Sequence, residues 1–250
     1  MAAGPIVPPG YRVTVLDEVG STNAVAFERA EAGEPAGLWI VGRRQTAGRG
    51  RQGRAWVSET GNLYSSLLLR DPVAPERLGE LPLVIAVSVH DAVADVLPPP
   101  ARAGLQIKWP NDVLYEGSKI AGILIEGAVS RQGRVVVVGI GINCRHHPDP
   151  AAYTATNLAA LGYPTEPDIL FERLAARVAT RLEQWRDSPF AVLREAWIAR
   201  ARGIGESITV RLPNRTVHGR FETLDEAGRL VLRLDDGRRE TISAGDVFFG

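Results

Sequence analysis

Cysteine is almost missing from this chain: Cys144 is the single example among 250 residues. One thiol excludes an internal disulfide and a cysteine-built metal cage. Net charge is missing too. The 29 basic and 29 acidic residues cancel, so the composition carries no mark of a general nucleic-acid binder. No apolar run reaches the roughly 20 residues that a membrane-spanning helix needs. Met1 to Gly10 lacks the basic start of a signal peptide and is interrupted by proline, so a cytoplasmic protein is expected. The His146-His147 pair stands alone in a Pro-rich loop and reads as solvated, not as a metal site. Lysine is scarcer than these totals imply: of the 29 basic residues, only Lys108 and Lys119 are lysine. A genome biased toward arginine codons accounts for the ratio, yet two lysines that escape such a bias are candidates for a chemical task.

What is present begins with bulk. Hydrophobic residues make up 45% of the chain, enough for one large domain or for a domain plus a small module. The basic charge is concentrated in Gly42 to Trp56, which holds Arg43, Arg44, Arg49, Arg51 and Arg54 with Gly48, Gly50 and Gly53 between them. The nearest acidic neighbours in sequence are Glu34 and Glu59, so this loop is expected to need an anion to settle. Glycine lets backbone approach such an anion closely, and the arginine fork suits phosphate oxygens. Trp56 adds a flat ring that could stack on a base. Gly48 to Gly53 also fits G-x-G-x-x-G, but a dinucleotide fingerprint needs a helix after the glycines. Ser58 to Asn62 reads as a turn instead.

In chain order, Tyr11 to Leu16 alternates as a strand, and Ala24 to Ala32 reads as a helix behind Ser21-Thr22-Asn23, ended by Gly33. Leu38 to Gly42 and Asn62 to Leu69 read as strands. Leu81 to Leu97 reads as a buried helix with Pro82 near its start. Leu105 to Trp109 leads into KWPND, where Pro110 keeps Trp109 extended. Val113 to Tyr115, Lys119 to Glu126 and Arg134 to Cys144 read as strands joined by tight turns. Gly139 and Gly141 would weaken the last strand unless something must approach its backbone. A helix over Asp168 to Arg186 carries an apolar stripe of Ile169, Leu170, Leu174, Val178 and Leu182; a second runs from Pro189 to about Arg202. After Gly203, the segments SITVRL, GRF, RLVLRL and DVFF alternate as strands of a small β module.

The ordered motifs GRGRQGRAW, KWPNDVL, KIAGILIE and GIGINC, with STN upstream, resemble the catalytic core of biotin protein ligases. The tail after Gly203 resembles that family's SH3-like C-terminal domain. The resemblance implies a mixed α/β catalytic domain over residues 1–203, related to class II aminoacyl-tRNA synthetases and lipoate ligases, and a small β-barrel over 204–250. It implies ATP and Mg²⁺ as co-substrate and activator, and biotin as substrate. Biotinyl-5′-AMP would form first, and biotin would then pass to one lysine of a biotin carboxyl carrier domain. About twenty residues precede Ser21, too few for the DNA-binding domain of some members, so the monofunctional class without a DNA partner is expected. A lipoate-type ligase and a non-catalytic biotin-binding regulator are the alternatives.

The resemblance also assigns residues. Lys119 would meet carboxylate and α-phosphate together, where fixed positive charge lowers the barrier most. Ser21, Thr22, Asn23 and Gln45 would take the ureido group, with backbone from Gly48, Arg49, Gly50 and Arg51, although Ser21-Thr22 alone reads as a helix cap. Gly122 would leave room for the valeryl chain. Arg49 and Arg51 would fold over the adenylate phosphate, and Trp56 would cover the adenine. Asn143 would read the adenine edge. Asn111 would meet phosphates or metal, and Lys108 would serve the nucleotide. Asp112 would orient Lys119 or the incoming lysine. Beyond Asn111, the resemblance names no protein metal ligand.

Overall fold

The computed structural model describes residues 4–130, 133–148 and 154–249. Seven strands form the central sheet: β1 (Arg12–Val19), β2 (Leu38–Gln45), β3 (Leu63–Arg70), β4 (Leu105–Lys108), β5 (Asp112–Tyr115), β6 (Ser118–Ser130) and β7 (Gly133–Ile142). Their order across the sheet is β1-β2-β3-β7-β6-β5-β4. Only β1 and β2 run parallel, bridged by helix α1 (Thr22–Glu31); the other pairs are antiparallel. The turn between β5 and β6 is made by Glu116 and Gly117 at φ 47° and 81°. Two positive φ values give the primed turn whose twist matches a hairpin.

Strand periodicity divides the side chains between two faces. On one face, Val136, Val138, Ile140 and Ile142 of β7 join the main core beneath helices α2 (Leu81–Asp95) and α3 (Pro167–Asp187). Helix α2 is buried nearly all round, as its largely apolar sequence requires. On the opposite face, Val135 and Val137 pack with Ile40 and Leu68 beneath Ala26 and Ala30 of α1. Helix α1 covers only part of that face. The remainder, over β5, β6 and the far half of β7, is where the site lies.

The C-terminal module is a five-stranded sheet of β8 (Ser207–Arg211), β9 (Thr216–Leu224), β10 (Leu230–Arg233), β11 (Arg239–Ile242) and β12 (Asp246–Phe249), in the order β11-β10-β9-β8-β12. Its inner residues, Phe221 among them, belong to the same core as α2 and α3. The short helix α4 (Phe190–Ile198) leads to it, and Trp197 lies 6.4 Å from Phe221, ring to ring.

Three expectations change. Helix α4 stops at Ile198, because Ala201 pairs with Ile107 as an isolated bridge and Arg200 O accepts the Ile107 N–H. Ile169 is not in the buried stripe of α3 but 51% exposed; Phe171, Ala175 and Trp185 complete the stripe. Strand β11 carries RETI, whose polar alternation gave no apolar signal. No helix among the described residues is long and apolar enough to cross a membrane.

Candidate active site

Beta strands β2, β3, β6 and β7 and the N-terminus of α1 converge on one pocket. Its inner end is polar and buried. Ser21, Thr22 and Asn23 are 7%, 4% and 3% exposed. Ser21 holds the extended geometry of an N-cap but makes no side-chain capping bond. Thr22 N donates to Gln45 Oε1 at 2.9 Å, and Thr22 Oγ1 lies 3.1 Å from the same oxygen. Gln45 Nε2 donates to Ser58 Oγ at 2.9 Å, which donates to Trp56 O at 2.8 Å. Asn23 Nδ2 donates to Glu126 Oε2 at 2.7 Å. The polar end is thus tied to the arginine loop through Ser58.

The outer end is charged. Lys119 Nζ lies 2.7 Å from Asp112 Oδ1, and Lys108 Nζ lies 3.7 Å from Oδ2 of the same carboxylate. Their side chains are only 13–25% exposed, so screening by water is reduced. The Lys119 backbone is clamped from outside the sheet: its N–H donates to Thr154 O and its carbonyl accepts from Thr156 N, both at 2.9 Å. Arg51 donates to Asn111 Oδ1 at 2.9 Å and to Gly245 O at 3.2 Å. Asn111 Nδ2 is held by Ile123 O at 2.6 Å.

Protein carboxylates, not an external anion alone, settle the arginine loop. Arg49 pairs with Glu126 at 3.3 Å, Arg54 with Asp246, and Arg43 with Asp168. These three partners are distant in sequence, while Glu59 lies 3.9 Å from Arg44; the expectation that the loop needs an outside anion to settle is corrected. The G-x-G-x-x-G stretch opens no α-helix; it holds one 3₁₀ turn, Arg51–Gly53.

Both flagged glycines of β7 admit a close approach. A Cβ at Gly141 would stand 2.6 Å from the Trp56 indole, and one at Gly139 would overlap the Asn23 carboxamide. Gly122 does the same on β6: its missing Cβ leaves space that the Trp56 ring occupies at 2.9 Å. Trp56 therefore lies flat on the sheet, with Lys119 Nζ 5.2 Å from its ring centre. The attraction of the cation for the ring face favours this stacking.

Of the residues singled out in the sequence, most line this pocket, including Gly50, Arg49, Asn111 and Asp112. Three do not. Gly48 sits behind it, accepting the Trp56 N–H at 2.9 Å. Lys108 reaches it only through Asp112. Asn143 borders an adjoining smaller cavity with Trp56 and Lys119, and its Nδ2 donates to Thr156 O at 3.0 Å. Sequence reasoning missed Tyr64, Glu126 and Asp246. Glu126 closes the KIAGILIE motif and was visible; Asp246 carries no local signal at all.

Known proteins resemble this chain along nearly its whole length. Residues 16–143 match the biotin/lipoate A/B protein ligase family, and residues 203–250 match the biotin protein ligase C-terminal domain. A biotin–[acetyl-CoA-carboxylase] ligase of Paracoccus denitrificans is 40% identical over 94% of this chain and 100% of its own. One of Mycobacterium tuberculosis is 37% identical over 95% and 89%. Among solved structures, biotin protein ligase from Aquifex aeolicus in complex with biotin and ATP superposes with a TM-score of 0.81. It is 29% identical, covering 96% of this chain and 98% of that one. The chain belongs to the biotin/lipoate A/B protein ligase family, and within it to the biotin protein ligases.

Proposed function

We propose that the pocket activates biotin at its charged end while holding the biotin head at its polar end. The chain is an ATP-dependent biotin ligase. Biotin carboxylate attacks the α-phosphorus of ATP, pyrophosphate leaves, and biotinyl-5′-AMP remains. An acceptor lysine amine then attacks the acyl carbon, an amide forms, and AMP leaves with the mixed-anhydride bond broken. The acceptor we assign is the carrier domain of a biotin-dependent carboxylase, with no DNA partner and a cytoplasmic setting. We assign residues 1–203 to catalysis and 204–250 to the smaller module.

One observation carries the assignment: Lys119, Asp112, Asn111 and Arg51 share a single pocket with Ser21, Thr22, Asn23 and Gln45. Carboxylate and triphosphate repel one another, so fixed cations where they meet lower the barrier. Lys119, aimed by Asp112, supplies that charge. Arg51 and Arg49 take the phosphate oxygens; the space over Gly122, expected for the valeryl chain, is taken by the Trp56 ring. Asp112 is also placed to receive the proton of the acceptor ammonium. Trp56 and Asn143 border the cavity assigned to adenine.

Mg²⁺ arrives here with ATP as part of the substrate. No group of three or more metal-ligating side chains occurs among the described residues. Asp112 faces two lysines and Asp246 two arginines. Mg²⁺ is commonly bound by substrate phosphates with few protein ligands, which fits this donor set.

The test is transfer of labelled biotin to a purified biotin carboxyl carrier domain with ATP and Mg²⁺. Label should appear on the carrier and vanish when its acceptor lysine is arginine. Labelling that persists on the arginine variant would contradict the assignment.

A further inference from the structure

Glu126 and Ser66 flank the polar end of the pocket, and Glu126 touches Asn23 as well as Arg49. A carboxylate accepts hydrogen bonds and donates none. With Glu126 Oε2 2.7 Å away, Asn23 must turn its NH₂ toward it. Asn23 Oδ1 then faces Ser66 Oγ at 2.6 Å. Gln45 is locked in the same manner. Its Oε1 takes the Thr22 backbone N–H, which leaves Nε2 for Ser58 Oγ.

Two hydroxyls, Ser66 and Thr22, therefore stand between two fixed acceptors. The oxygen–oxygen separations from Asn23 through Ser66 and Thr22 to Gln45 are 2.6, 2.7 and 3.1 Å. Two hydroxyl protons cannot fill three contacts. Whichever contact is left empty, the row is one proton short, and Asn23, Thr22 and Gln45 all line the pocket, where an incoming donor can make up the deficit.

We propose that Glu126 is a positioning residue for substrate recognition. By fixing Asn23 it makes this row a proton-deficient array that selects a ligand head bearing N–H donors, here the ureido N–H groups of biotin. The proposal rests on the placement of biotin at the polar end. Gly139 serves the same device, because a Cβ there would overlap the Asn23 carboxamide.

Glu126→Gln keeps size and shape but offers a donor as well as an acceptor. Asn23 can then turn over and donate to Ser66. Ser66 donates to Thr22, Thr22 donates to Gln45, and all three contacts are filled. The reversed row no longer calls for an incoming N–H.

Biotin affinity by titration calorimetry, without ATP, should fall about five- to tenfold in Glu126→Gln, the worth of one hydrogen bond. In steady state the loss should fall on KM for biotin, not on kcat at saturating biotin. In an Asn23→Ala background the same change should cost less than about twofold, since its effect runs through Asn23. In an Arg49→Met background, which removes the other partner of Glu126, the full loss should persist. Gly139→Ala should weaken biotin by a separate route to the same carboxamide. Equal loss with and without Asn23, or no loss, overturns the role of Glu126 alone. Unchanged affinity in Asn23→Ala overturns the placement of biotin at this end, and the proposal with it.

Discussion

Asp112 stands between two lysines, 2.7 Å from Lys119 Nζ and 3.7 Å from Lys108 Nζ. Its carboxylate restrains the Lys119 ammonium before substrate arrives, and the Thr154–Thr156 segment restrains the backbone beneath it. Such preorganisation is what makes a fixed charge worth more than a mobile one. Lys119→Ala should therefore lose about 10²–10³ in the rate of adenylate formation. Single-turnover pyrophosphate release measures this, and a rate within threefold of wild type (about 0.7 kcal/mol) would remove Lys119 as the key charge. Cys144 illustrates the opposite case. Burial pushes its thiol up to about 12, so it remains protonated and serves as packing. Residue identity was legible wherever a motif carried it. What was illegible was orientation: nothing in the sequence announces that Trp56 lies on Gly141, or that Glu126 aims Asn23.

Among elements, the arginine loop and the helix layer respond to charge differently. Arg51 reaches both Asn111 and the Gly245 carbonyl, so it bridges the sheet and the C-terminal module across the pocket mouth. An element so placed can retain a reactive intermediate by excluding water and stray amines. Arg51→Gly should form adenylate yet leak it, and albumin added as a bystander should be biotinylated more than with wild type at matched turnover. Unchanged bystander labelling with synthesis intact would end the lid role. In the helix layer, Asp91 of α2 receives Arg181 of α3 at 2.8 Å and Arg200, just past α4, at 2.9 Å. Burial alone would raise its pKa, but His90, Arg181 and Arg200 hold it well below the usual carboxylate range. A depressed folded-state pKa contributes stability that is complete above the unfolded value of about 3.9 and is lost as pH falls through the folded value. Asp91→Asn should cost about 3 kcal/mol in urea unfolding at pH 7. The gap between variant and wild type should narrow below about pH 4. An equal gap at pH 3 would contradict that linkage. The helices and the β4–β7 meander were legible from periodicity and turns; the limits of α4 were not, because pairing of Ala201 with Ile107 ends it.

Across the whole molecule, the site is assembled from segments that lie far apart in the chain. Arg49 meets Glu126 77 residues on, and Arg54 meets Asp246 192 residues on. The C-terminal sheet also accepts the Trp109 indole N–H, through Gly228 O at 3.3 Å, so it braces the KWPND turn directly. A sequence read locally sees five unbalanced arginines; the folded chain supplies carboxylates to several of them. That is why the fold class and many of the residues that line the pocket were legible in the sequence while its charge balance was not. The step proposed for this pocket is the joining of biotin to AMP. Pyrophosphate release, followed with ATP and Mg²⁺ and with biotin and lipoate assayed side by side, tests it most directly. Release should depend on biotin and be absent with lipoate. No release with biotin, or equal release with lipoate, would contradict it.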